Sequence, residues 1–163
     1  MTKSKTPNGK EEIDSKPPST PKPDIRLRVL DRLVGTWTLH HRDVDTGEEW
    51  GGQDTFEWMS GGFFLAFRHE EFGRNIKGVM LIGYERKYGA ANSSPNLMGH
   101  CFESSSGNHF EYTWEVDDDS VTFWLGNRNS SSAFKGSWSD DHNKITGRWR
   151  WAGGGYELTM TRA

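Results

Sequence analysis

The chain has 163 residues, 33% of them hydrophobic and 13% aromatic, with a formal net charge of −3, the size of one domain with room for a sizeable core. The mildly acidic balance excludes the basic footprint of a nucleic-acid binder, and no run of about 18 apolar residues exists to span a membrane. A lone cysteine, Cys101, excludes an intramolecular disulfide, and a polar N-terminus without an apolar signal core predicts a cytoplasmic protein in a reducing compartment.

Residues 1–24 read as a disordered Lys/Pro-rich tail. They hold five of the six prolines and five lysines, and every tryptophan, phenylalanine and tyrosine lies after them. A stretch such as Lys16-Pro17-Pro18-Ser19-Thr20-Pro21-Lys22-Pro23 cannot propagate a helix or join a central strand, and has nothing apolar to bury. Residues 25–163 form the folded domain. It opens with a short helix over 24–34. Asp24 serves as N-cap, Leu27, Leu30, Leu33 and Val34 lie mostly on one face, and Gly35 is the stop. A helix this short must dock on something apolar, and the end of a barrel is the natural seat.

Ten strand-like runs follow: 36–43, 49–59, 63–72, 76–86, 97–104, 109–116, 121–125, 133–139, 144–151 and 156–161. Glycine, asparagine or aspartate clusters punctuate them, the pattern of an antiparallel up-and-down barrel. Gly153-Gly154-Gly155 joins two strands and opens no helix, so it is a hairpin turn and no phosphate cradle. Alternation fixes faces in part. Phe110, Tyr112, Trp114 and Val116 share the inward face of their strand. Phe56 and Trp58 face in with Asp54. Met98, His100 and Phe102 are expected inward, with Leu97, Cys101 and Glu103 outward. In 63–72 and 79–84 both faces look apolar and neither is chosen.

The helix followed by Gly35-Thr36-Trp37 resembles the signature at the base of lipocalin-like (calycin) barrels. The segments Thr55–Leu65 (TFEWMSGGFFL), Ile82–Glu85 (IGYE) and Phe134–Trp149 (FKGSWSDDHNKITGRW) are similar to a bacterial lipocalin-like domain family of unknown function. The likeness covers residues 25–163. It implies a roughly ten-stranded antiparallel barrel closed at one end by the helix, with Trp37 as the plug and Arg162, Arg150 or Arg148 laid across it. It implies no established activity. Some barrels of that superfamily bind haem through a histidine near the C-terminus; the last strand here has none, so no cofactor is expected.

Metal binding is not expected: His40 and His41 point to opposite faces, and no close-spaced ligand motif occurs, although His41, Asp54 and His100 could meet inside the barrel. Nucleophilic catalysis lacks a Gly-x-Ser-x-Gly elbow, and Cys101 faces away from its neighbour His100. Acid–base chemistry is the sharper option: Asp54 or His100 on an apolar inner wall would have a shifted pKa suited to moving a proton. The leading expectation is binding of a small hydrophobic or aromatic ligand in the barrel, lined by His41, Phe56, Trp58, Phe102, Tyr112 and Trp114. The alternatives are an isomerase or cyclase using His100 or Asp54, and a ligand-free interaction module, for which a homodimer through an outer barrel face is the expected partner.

Overall fold

The structure is a computed structural model that describes residues 20–163; the expected tail lies outside the described residues up to Ser19. A 3-10 helix, Ile25–Leu33, precedes ten strands: β1 Gly35–Asp43, β2 Glu49–Trp58, β3 Leu65–Glu71, β4 Ile76–Gly83, β5 Leu97–Glu103, β6 Asn108–Val116, β7 Ser120–Leu125, β8 Ala133–Trp138, β9 Lys144–Trp151 and β10 Gly154–Arg162. Every sequential pair is antiparallel, and β1 also pairs with β10, so the sheet closes on itself with no free edge.

The helix is tighter than an α-helix because its apolar residues recur every third position. Leu27, Leu30 and Leu33 are all buried, and a period of three is that of the 3-10 form. Asp24 caps it by accepting from the Arg26 backbone N–H at 2.9 Å. The three leucines seat the helix on one end of the barrel, where Trp37 is fully buried. The indole Nε1 of Trp37 donates to the Leu33 carbonyl at 2.8 Å. Arg162 is the basic residue that crosses the ring. Its guanidinium carbon lies 4.3 Å from the ring centroid, while its nitrogens donate to the Val34 and Arg32 carbonyls at 2.7 Å each. Gly35 holds φ +124° beside that guanidinium, a backbone conformation that favours glycine.

Cross-strand register carries one face of every strand inward. Trp37, Asp54 and His69 stand side by side across β1, β2 and β3, with Leu39, Gly52 and Glu71 beside them. β6 presents Phe110, Tyr112 and Trp114 to the interior, as the alternation predicts. β5 is the correction. Cys101 pairs with Met80 and Phe110, and Gly99 with Ile82 and Tyr112, so the inward face is Leu97, Gly99, Cys101 and Glu103. His100 and Phe102 therefore point out of the barrel. The cause is volume: a Cβ on Gly99 would sit 2.6 Å from both the Met80 sulfur and the Trp114 indole nitrogen. Neighbouring strands supply the bulk, so β5 must turn its small residues inward. Phe102 instead stacks on His109 at 4.8 Å and stays 54% exposed.

Candidate functional site

The interior contains a cavity of about 260 Å³. It runs from Leu33 at the stoppered end to Ile76, Lys77 and Glu103 at the opposite end, where Phe110, Trp149 and Tyr156 are only half-buried. Nine of its 24 lining residues are phenylalanine, tyrosine or tryptophan. Phe56 stacks on Phe67 with centroids 4.5 Å apart, and Trp114 stacks on Phe123 at 4.3 Å. Tyr112 meets Phe123 edge-on at 5.8 Å. Such offset and edge-on contacts hold rings rigid, which makes the wall a preformed surface.

One side of the cavity is polar. Strand pairing brings Asp54 of β2 opposite His69 of β3, and Glu71 follows His69 on the same face. His69 Nδ1 lies 2.7 Å from Asp54 Oδ1, and its Nε2 lies 3.2 Å from Glu71 Oε1. Glu71 Oε2 also accepts from the Trp50 indole N–H at 2.7 Å. His41, fully buried, stacks on Trp50 with centroids 4.9 Å apart and meets the edge of Tyr156 at 5.1 Å. Neither ring nitrogen of His41 has a hydrogen-bond partner, and its Nε2 stands 4.0 Å from Glu71 Oε1.

These contacts fix the electrostatics. Burial works to lower His69, but the hydrogen bonds and charges of Asp54 and Glu71 overcome it and hold the imidazole at about 10. Burial pushes Asp54 up, against the pull of His69. One proton is thus shared along the 2.7 Å contact, and the Asp54–His69 pair is neutral as a unit whichever atom carries it. Burial also works to raise Glu71, yet His69, His41 and the Trp50 N–H keep it below the usual carboxylate range, so it stays ionised. Burial drives His41 down to about 4 despite Glu71, so it is neutral at pH 7. Burial raises Tyr156 and Tyr112, leaving both phenols protonated.

Of the residues singled out from the sequence, His41, Asp54, Phe56, Tyr112 and Trp114 line the cavity. Trp58 lies at the stoppered end, outside the lining, where its indole N–H donates to Asp31 at 2.8 Å. His100 and Phe102 lie outside it, on the outer face. His100 Nε2 meets Glu85 at 2.6 Å, and with His109 and Glu111 it forms a group of metal-ligand types whose donor atoms lie within 4.8 Å of one another. The histidine that meets Asp54 is His69, and His100 does not reach it. Cys101 faces the cavity, and burial pushes its thiol up to about 11, so it is a poor nucleophile.

His69 and Glu71 escape a reading by alternation because Leu65–Glu71 is flanked by apolar residues on both faces. The signal that finds them is the hairpin. A turn at Ser60-Gly61-Gly62 sets Phe56 against Phe67, and counting back two residues sets Asp54 against His69. No protein-family model matches the chain, and no curated protein matches it.

Proposed function

We propose that this chain is a lipocalin-like, calycin-type carrier that binds a small hydrophobic or aromatic molecule in its barrel, in the cytoplasm. The cavity of about 260 Å³ carries the reading. It lies just below the usual size range of ligand pockets and has their make-up: rigid rings with a few converging polar groups. Phe56, Tyr112 and Trp114 supply apolar contact, joined by Phe67, Phe123 and Trp149. His41 supplies orientation: a neutral imidazole offers one donor and one acceptor, and here both are unused. A buried polar group without a partner costs about 1–3 kcal/mol, and a ligand that pairs with it recovers that cost. A hollow interior also favours a carrier over a ligand-free module. Native mass spectrometry of the protein purified from its own host tests the proposal. A bound small molecule is the expected result; an empty barrel that also refuses a panel of apolar fluorophores overturns it.

The Asp54–His69 pair favours a second reading, an isomerase or cyclase. A shared proton facing an apolar cavity can be delivered to or taken from a bound carbon acid. In that case deuterium from D2O enters an acidic C–H of the bound molecule with the native chain and fails to do so with His69→Gln. Equal exchange in both removes the acid–base role.

A further inference from the structure

We infer that the cavity selects ligands bearing a protonated amine, of the aromatic-amine class, and rejects carboxylates. The inference rests on the carrier reading above and specifies the chemistry of its ligand. Three observations carry it. First, the polar wall is anionic. The Asp54–His69 pair balances internally and His41 is neutral, which leaves the Glu71 carboxylate, 7% exposed, as the wall's unbalanced charge. Second, among the described residues no free cation faces the cavity. Arg162 is sealed at the stoppered end and donates to backbone carbonyls. Arg74 lies 3.6 Å over the Trp50 ring and pairs with Glu48 at 2.8 Å. Lys77, at the far end, is tied to Glu70 at 2.9 Å, and Glu103 adds a further acid there. Third, the unpartnered His41 imidazole stands within 4.0 Å of Glu71, so an entering donor finds a carboxylate and a neutral nitrogen lone pair together.

Carriers of carboxylate ligands need the opposite arrangement, a buried guanidinium or a set of free donors at the inner end. Here a carboxylate would lose its hydration and meet a like charge in a low-dielectric space, and the donors within reach, among them the unpartnered His41 and Trp114 N–H groups, are neutral and bring no full positive charge against Glu71. An ammonium loses hydration too, but Glu71 offsets that loss, and the surrounding indole and phenyl faces attract a cation. The rings then hold a planar apolar body.

The test uses three probes that share one ring system: tryptamine, neutral indole, and indole-3-acetate, each titrated calorimetrically into the full chain at pH 7. One-to-one binding of tryptamine and indole is expected, with indole-3-acetate at least ~10-fold weaker than tryptamine. Glu71→Gln should shrink that ratio severalfold. Indole-3-acetate binding as tightly as tryptamine, or an undiminished ratio in a folded Glu71→Gln, overturns the inference. If Glu71→Gln fails to fold, the ranking on the native chain decides alone. Failure of all three probes, indole included, strikes the carrier reading itself; an inverted ranking with indole bound strikes only the amine preference.

Discussion

Two wholly buried side chains of β1, Trp37 and His41, treat their polar atoms in opposite ways. At the stoppered end the Trp37 indole donates to the Leu33 carbonyl and the Arg162 guanidinium to the Val34 and Arg32 carbonyls, while Arg32 Nη1 and the Trp138 indole N–H beside them are buried without partners. A few residues along the same strand, His41 is just as deeply buried and has no partner on either nitrogen. Both sites lie on β1, two turns of the pleat apart. The first spends its hydrogen bonds on the fold. The second leaves them unmade on the wall of the cavity, the arrangement on which the proposed ligand contact rests. The contrast sets a side chain that ties the helix to the barrel against one that leaves its polar atoms open to the cavity.

The plug is where the largest loss is expected. Trp37→Ala removes a wholly buried ring, orphans the Leu33 carbonyl and strips the face on which Arg162 rests. Destabilisation of about 3–5 kcal/mol is expected, read as a lower urea midpoint. A loss below about 1 kcal/mol would mean that the helix, and not the indole, closes the barrel.

His41 should respond in the other direction, and only in acid. Its folded pKa, about 4, lies below the ordinary histidine value of 6.5. Between these values the unfolded chain binds the proton and the folded chain does not, so stability contributed by neutral His41 is full above about pH 6.5 and drains away as pH falls toward 4. His41→Phe keeps the stack on Trp50 and removes the titration. The variant should gain on the native chain by up to ~3 kcal/mol as pH drops across that window. Urea unfolding at pH 7, 5.5 and 4 checks it. Parallel curves at all three would show that His41 is charged or hydrogen-bonded in the native state.

The sequence made the scaffold legible and half of the wall. Glycine and aspartate turns marked all ten strands within a few residues, because each turn needs a backbone that bulky residues resist. Trp37 and the leucines of Ile25–Leu33 announced the closed end. Alternation placed Asp54, Phe56, Tyr112 and Trp114, because near these residues the strands set large aromatic side chains on one face against polar ones on the other. It failed on β5 because the rule assumes that the bulkier face is the inner one. On that strand the interior was already filled by Trp114 and Met80 reaching across from β6 and β4, so the small residues turned in. It was silent on His69 because no single strand records a pair. Asp54 and His69 lie 15 residues apart and meet only through the β2–β3 register.

The smallest predicted effect separates the inner histidines from the outer ones most cleanly. His100 is held by Glu85 at 2.6 Å and faces Glu111 at 3.5 Å, both on the partly exposed outer surface. Ion pairs in such places contribute about 0–1 kcal/mol, since water and salt screen them and the side chains lose entropy in forming them. His100→Ala should therefore shift the urea midpoint little and leave uptake of indole probes at the native level, because no atom of His100 reaches the cavity lining. If it abolished uptake instead, β5 would have to present its other face, and Cys101, Gly99 and Leu97 would turn to solvent together. Register does not permit one residue of a strand to reverse alone.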